Sequence, residues 1–175
     1  PNIKCELFEA SINEQTQQLL NGITELGIFS VPIEHQDNFE VLFRRDEELT
    51  AVFHKDSVFL EDGQKSVTLK DLEDVPLSLS SGCSEIVLKA FAQKSMVPRI
   101  TCTSTTRSTT LEWTRVKAAV SIVPVEEGED LGEEFVARPI SDITADVYKT
   151  VVKVKDRPLS VAAQHFLKFY SKTRN

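Results

Sequence analysis

The sequence is short of cysteine, of basic residues and of long apolar runs. Its three cysteines, Cys5, Cys83 and Cys102, form no Cys-x-x-Cys pair, which argues against a disulfide framework or a zinc knuckle and favours a reducing, cytoplasmic compartment. No stretch approaches the roughly 18 uninterrupted apolar residues that a membrane helix needs. The N-terminus also shows no basic-then-apolar signal segment. We therefore expect no membrane association.

Positive charge is scarce as well. The chain has 20 Lys and Arg against 27 Asp and Glu, a net charge of -7. Because nucleic-acid affinity comes largely from Lys and Arg that neutralise phosphates, the chain by itself is predicted to bind DNA poorly. Its 41% apolar content is enough to build a core. The 175 residues fit one domain or two small lobes.

The N-terminal part has the pattern of a strand, a helix and a second strand. Residues 3–7 alternate apolar and charged side chains, which is typical of a strand with one buried face. Ser11 and Glu14 match a capping box at a helix start. The apolar run 26–31 predicts a central strand that ends at Pro32. A strand, helix and strand of this length form a βαβ unit, which predicts a parallel sheet with a right-handed crossover.

The rest of the chain continues this alternation. Two strands are predicted at 41–43 and 49–53, separated by a charged turn at 44–48. Further predicted strands cover 76–79, 100–103, 148–154 and 120–123, the last closed by Pro124, and helices follow residues 80–84, Ser104 and Pro158. The sequence therefore predicts an α/β fold. Because the chain begins at Pro1 inside a predicted strand, we expect it to be a piece of a longer protein.

Candidate catalytic and metal-binding groups are few. Residues 80–84 lack the Gly-x-Ser-x-Gly spacing of a nucleophile elbow. Cys83 lies near a predicted helix N-terminus, where the helix dipole can lower the pKa of a thiol, so a Cys83-dependent enzyme remains open as a minor alternative. The acidic run 126–134 lacks the ligand register of an EF-hand and is predicted as a solvated loop. We expect no metal and no cofactor.

Short turns rich in hydroxyl groups follow four of the predicted strands. In open α/β sheets, ligands bind beyond the carboxyl ends of the strands, where helix N-termini present free N–H groups. Such turns suit a small polar or anionic ligand, and the alternative is that each only caps its helix. The four turns are 10–11, 29–30, 80–84 and 103–106.

Several short segments occur in an order that is typical of one family. They are Pro1-Asn2-Ile3, Leu19-Leu20-Asn21-Gly22, Ala51-Val52-Phe53-His54-Lys55-Asp56, Thr68-Leu69-Lys70-Asp71-Leu72, Ser80 to Ser84, Val120-Ser121-Ile122-Val123-Pro124 and Leu159-Ser160-Val161-Ala162-Ala163. Together these segments resemble the effector-binding domain of LysR-type transcriptional regulators, over nearly the whole chain.

The resemblance implies two Rossmann-like lobes with a hinge, similar to the type 2 periplasmic-binding-protein fold. Lobe I would comprise residues 1–50 and 149–175, without its first strand and helix, and lobe II residues 51–148. A small polar or anionic effector in the cleft between the lobes would control DNA binding by a winged helix-turn-helix domain absent from this chain. The implied protein is not an enzyme and works as a homodimer or homotetramer. From this resemblance and the hydroxyl-rich strand ends, we predict that the main ligand cradle is Ser80, Ser81, Gly82, Cys83 and Ser84, and that Ser11, Phe29, Ser30 and Thr103 face it.

A transport-type solute-binding protein has the same architecture and remains the main alternative. It would require export, which the cysteine usage does not favour. The sequence upstream of Pro1 discriminates the two, since a helix-turn-helix indicates regulation and a signal peptide indicates transport.

Overall fold

A computed structural model describes residues 3–30, 36–59 and 63–172. Its helices are α1 (Ile12–Leu20), α2 (Ser81–Gln93), α3 (Arg107–Arg115) and α4 (Val161–Lys172). Its strands are β1 (Gly27–Phe29), β2 (Phe39–His54), β3 (Leu77–Ser80), β4 (Ile100–Ser104), β5 (Val120–Val125), β6 (Phe135–Pro139) and β7 (Val147–Val154). The chain divides into unit 1, residues 1–45 and 149–175, and unit 2, residues 46–148.

Helix α1 of unit 1 begins at the predicted capping box. The Ser11 hydroxyl accepts a hydrogen bond from Glu14 N–H, and the Glu14 carboxylate accepts one from Ser11 N–H at 2.9 Å. These two bonds satisfy backbone donors that have no partner inside the helix, which confirms the predicted start. Leu19 on the buried face of α1 packs with Phe29 and Val152, forming the small core of this unit.

The predicted parallel βαβ unit at the N-terminus is wrong for the described residues. Strand β1 stands at the end of the strand order and pairs antiparallel with β7, so it is not central. Residues 3–10 form no strand, and Ile3 and Leu7 are exposed. An alternating pattern becomes a strand only when another strand supplies backbone partners, and none of the described strands lies beside this segment. The predicted end at Pro32 lies outside the described residues.

The charged segment 44–48 is not a turn. Strand β2 continues through it for 16 residues and leads from unit 1 into unit 2. In unit 1 it runs beside β7, with an ion pair of 2.8 Å between Glu40 and Lys153. In unit 2 it pairs with β5 and β6. The segment contains neither glycine nor proline, and charged side chains are compatible with a strand whose backbone is paired.

Unit 2 has a sheet covered by a helix on each face. Its strand order is β2-β5-β3-β4, with β6 on the other edge of β2, and β3 is parallel to both β4 and β5. Leu77 and Leu79 of β3 point to the face covered by α2, where they join the main hydrophobic core. Ser78 points to the opposite face and donates to Thr110 O in α3. The alternation along β3 therefore separates an apolar layer from a hydroxyl-rich layer.

Pro124 does not close β5 as predicted, because the strand continues to Val125. Pro124 lies opposite Leu49 of β2 and has no N–H to donate. The Leu49 carbonyl accepts from Ile140 N–H at 3.0 Å, on the side of β2 that faces β6. The backbone groups of Leu49 therefore point away from β5, so this pair needs no N–H at position 124 and proline is tolerated.

Candidate functional site

The chain leaves β3 and β4 toward opposite faces of the unit 2 sheet. After β3 it enters α2 on the apolar face, and after β4 it enters α3 on the hydroxyl-rich face. The two strands are parallel neighbours, with Ser80 in register with Ser104. Where adjacent parallel strands send their connections to opposite faces, a crevice opens beyond their carboxyl ends, and this is where open α/β sheets bind ligands. We call it the β3/β4 crevice.

The N-terminus of α2 forms one side of the β3/β4 crevice. Ser80 is the N-cap residue of α2, but its hydroxyl makes no capping hydrogen bond to the backbone N–H groups of the first turn. The hydroxyl lies 3.1 Å from Cys83 Sγ instead. The Ser84 hydroxyl donates to Ser81 O at 3.0 Å. First-turn N–H groups without a side-chain cap, at the positive end of a 13-residue helix, are suited to an anion.

The end of β4 and the start of α3 form the other side. The predicted cap, Ser104, is wrong: it still belongs to β4, and its hydroxyl lies 3.5 Å from Cys102 Sγ. Helix α3 is capped two residues later by Thr106, which accepts from Thr109 N–H. The Ser81 hydroxyl donates to Thr105 O at 3.4 Å and so connects the two sides.

The structure groups six of the predicted contacts, Ser80, Ser81, Gly82, Cys83, Ser84 and Thr103, at the β3/β4 crevice. Their exposure differs. Ser81 and Thr103 are exposed and Gly82 and Ser84 are half-buried, whereas Ser80 and Cys83 are buried. Ser80 is 8% exposed and Cys83 is 0% exposed, so Cys83 offers a ligand no accessible atom and Ser80 offers very little surface.

The other three predicted contacts belong to unit 1. The Ser11 hydroxyl is engaged in the capping box. The Phe29 ring is only 3% exposed and lies in the core beside Leu19. Ser30 follows β1 and is half-buried. The sequence pattern predicted a strand end near Phe29, but it did not show that the Phe29 ring points into the core.

The structure does not support the minor alternative in which the helix dipole activates Cys83. Burial raises the pKa of the Cys83 thiol, and hydrogen bonds within the Ser80 turn only partly oppose this. Its Sγ donates to Ile122 O at 3.4 Å on the apolar face of the sheet. A thiol that is neutral and enclosed is a poor nucleophile.

We therefore expect Cys83 to react with iodoacetamide at least about tenfold more slowly than Cys5 in the folded chain, because Cys5 is exposed and Cys83 is not. Mass spectrometry of peptides from a time course would measure both rates in one sample. In 6 M guanidinium chloride the two cysteines should react alike. Fast modification of Cys83 without unfolding would restore the enzyme alternative.

Two charged residues near the β3/β4 crevice were missed by the sequence analysis. Arg107 is the first residue of α3, and its guanidinium forms an ion pair of 3.2 Å with Glu129 in the loop after β5. The predicted solvated loop is thus partly folded back, and Glu126 in it is only 7% exposed. No local pattern connects residues 22 positions apart, so only the fold reveals the pair.

In residues 3–30, 36–59 and 63–172, no three His, Cys, Asp or Glu side chains come together as metal ligands would. Within the same ranges, every helix is too short or too polar to cross a bilayer.

The chain is similar to known proteins in both sequence and structure. The sequence matches the model of the LysR substrate binding domain over residues 1–174. No curated protein matches it. Among solved structures, CbnR, a LysR family transcriptional regulator, is similar with a TM-score of 0.70 and 21% identity, over 95% of this chain and 59% of that one. The chain thus spans 59% of the length of that regulator.

Two further similar structures are isolated domains in complex with small molecules. The effector-binding domain of QuiR, in complex with shikimate, has a TM-score of 0.71 and 19% identity, over 97% of this chain and 82% of that one. The regulatory domain of CcmR from Synechocystis PCC6803, in complex with 2-PG, has a TM-score of 0.68 and 17% identity, over 94% and 81%. At these identities the similarity is one of fold.

Proposed function

Because the chain belongs to the LysR substrate-binding domain family, we propose that it is the effector-sensing part of a bacterial transcription regulator. The predicted family and the predicted α/β class, similar to the periplasmic-binding-protein fold, are both confirmed. Regulators of this family bind small-molecule effectors and DNA and are oligomeric, so the family favours regulation over transport. In the proposed regulator, a separate domain binds DNA. The protein forms a homodimer or homotetramer and works in the cytoplasm, where the DNA is.

The β3/β4 crevice is the observation that carries the proposal. Two helix N-termini meet there beside exposed hydroxyl groups, and their partial positive charges suit a small polar or anionic metabolite. The domains of QuiR and CcmR, solved with shikimate and with 2-PG, are consistent with a ligand of this class. The assignment of Ser11, Phe29 and Ser30 to the same ligand stays a prediction from the family resemblance.

An effector would act by shifting a conformational equilibrium. It can favour one arrangement of the regulator only by the free energy with which it binds that arrangement more tightly. No bond to the effector is made or broken in this proposal, and buried Cys83 supplies no nucleophile. The protein is thus proposed as a sensor and not as an enzyme.

A negative charge placed in the β3/β4 crevice should prevent anion binding. Ser81 is exposed in the first turn of α2, so Ser81→Asp would direct a carboxylate toward the same N–H groups. We expect the wild-type chain to bind at least one compound from a calorimetry panel of small carboxylates and phosphates, and Ser81→Asp to weaken it at least about tenfold. The variant should fold normally, because an acidic residue in a first turn stabilises a helix by about 0.3–1 kcal/mol.

Gln93→Glu is the matched control. It adds the same charge to the last turn of the same helix, about 18 Å from Ser81 at the usual rise per residue. Equal weakening by both variants would show that net charge, and not the crevice, controls binding. A panel without any binding compound would count against the crevice as the ligand site.

A further inference from the structure

Arg107 has a buried donor for which no described residue supplies an acceptor. Its Nη1 donates to the Glu129 carboxylate at 3.2 and 3.3 Å. Its Nε is buried and has no hydrogen-bond partner among the described residues. Buried donors are nearly always paired in folded proteins, because an unpaired one costs the free energy of its desolvation. The position therefore suits an acceptor that the described residues do not provide.

The stability of α3 does not explain this arginine. Arg107 occupies the first position of the helix, where the positive end of the dipole disfavours a cation. Thr106 already caps the helix. The ion pair with Glu129 offsets this cost, but it leaves Nε without a partner among the described residues. At this position the positive charge of Arg107 and the positive end of the α3 dipole would both attract an anion.

In the structure, the Glu129 carboxylate is the anion that pairs with Arg107. Its side chain is 17% exposed, and its Oε2 also accepts from Glu126 N–H at 3.2 Å. The carboxylate is thus held against Arg107 by its own loop. Arginine forms paired hydrogen bonds with carboxylates and phosphates, so an incoming anion can replace Glu129 without leaving the guanidinium unpaired.

We propose that Arg107 selects an anionic effector at the β3/β4 crevice, and that Glu129 occupies its guanidinium until a carboxylate or phosphate of the effector displaces it. This inference rests on the proposed function of unit 2. A neutral analogue would have to break the ion pair without replacing it, so the site discriminates by charge. Neutralising Glu129 removes the internal competitor and raises the affinity for the anion.

Titration of the 175-residue chain with inorganic phosphate tests the proposal. The ionic strength is kept constant with sodium chloride, and NMR follows the arginine Nε–H signals and the backbone amides of Gly82 and Ser84. The Arg107 signal is assigned as the one missing from Arg107→Lys. We expect it to shift in a saturable way, with the Arg115 signal unchanged.

Substitutions of Arg107 and Glu129 should change the affinity for phosphate in opposite directions. Arg107→Gln should weaken phosphate binding at the Gly82 and Ser84 amides at least about tenfold, and Glu129→Gln should strengthen it about three- to tenfold. Arg115→Gln is the matched control, because Arg115 ends the same helix and pairs with Glu112 and Glu134 away from the crevice. Its affinity should equal that of the wild type. Circular dichroism verifies the fold of each variant, and the wild-type Nε–H shift gives a result that needs no variant.

The outcomes separate the inference from the proposed function. If Gly82 and Ser84 respond to phosphate while the Arg107 signal does not, the role of Arg107 is overturned and the crevice remains. The role of Arg107 is also overturned if Glu129→Gln weakens binding or leaves it unchanged. If neither the amides nor Arg107 respond, the crevice as an anion site is overturned together with the inference.

Discussion

Phe91→Ala should destabilise unit 2 by about 3–5 kcal/mol, the usual cost of removing a fully buried phenylalanine. Phe91 of α2 is 0% exposed and belongs to the core that joins this helix to β3. Its removal loses the transfer free energy of the ring and leaves a cavity that the neighbouring side chains fill only in part. Since a typical domain has only about 5–15 kcal/mol of stability, the variant should unfold at much lower urea concentration.

Urea denaturation followed by circular dichroism would measure the change in free energy of unfolding. Leu88→Ala is the control on the same helix, because Leu88 is 44% exposed. It should cost less than about 1 kcal/mol, since most surface substitutions have small effects. Similar losses for Phe91→Ala and Leu88→Ala would mean that α2 does not pack on the sheet by the face described above.

Ser121→Ala should cost about 1–3 kcal/mol, the range for leaving a buried polar group without its partner. The Ser121 hydroxyl donates to Thr110 O at 2.8 Å and lies 2.6 Å from Thr114 Oγ1. All three residues are 0% exposed. Removing this hydroxyl takes the shorter side-chain contact from both Thr110 O and Thr114 Oγ1. Each keeps only a contact of 3.4 Å, with Ser78 Oγ and with Val52 O respectively, in a place that water cannot reach.

A double-mutant cycle of Ser121→Ala and Thr114→Val would measure the interaction free energy between the two hydroxyl groups. Thr114→Val keeps the shape and removes the hydroxyl, so alone it should also cost about 1–2 kcal/mol. The double variant should cost about 1 kcal/mol less than the sum, because each substitution removes the group that the other leaves unpaired. Thr101→Val, at an exposed position of β4, is the control and should be nearly neutral. Additive effects would show that the two hydroxyls stabilise α3 independently.

This hydroxyl layer connects stability to the proposed site. It attaches α3 to β3 and β5, and α3 carries Thr106 and Arg107 at its N-terminus. Loosening the layer should therefore weaken phosphate binding even though neither Ser121 nor Thr114 lies at the crevice. The same variants used for urea denaturation can be used in the NMR titration.

The features that sequence analysis predicted correctly depend on neighbouring residues. The capping box of Ser11 and Glu14 needs only four consecutive positions. A change from strand to helix after β3 was also predicted, but the helix was expected to follow residues 80–84, whereas α2 already begins at Ser81. The hydroxyl-rich strand ends were predicted in the same way, from composition next to a predicted strand.

The features that sequence analysis predicted incorrectly depend on distant residues. Whether residues 3–7 form a strand depends on a partner strand, which alternation does not specify. Residues 44–48 are charged yet extended, because they belong to one 16-residue strand that has β7 as a neighbour in unit 1 and pairs with β5 and β6 in unit 2. Pro124 is accepted in β5 because the opposite residue, Leu49, directs its backbone groups toward β6. The contact of Arg107 with Glu129 joins the first residue of α3 to the loop after β5.

The division of the chain also sets an order for its synthesis. Unit 2 is a single continuous segment, residues 46–148, whereas unit 1 combines residues 1–45 with 149–175. Once residue 148 has left the ribosome, every strand and helix assigned wholly to unit 2 is available to fold. The earlier-made half of unit 1 must wait for β7, which pairs with β1. Within these 175 residues, the N-terminal part of unit 1 is therefore made before unit 2 but completes its sheet only after it.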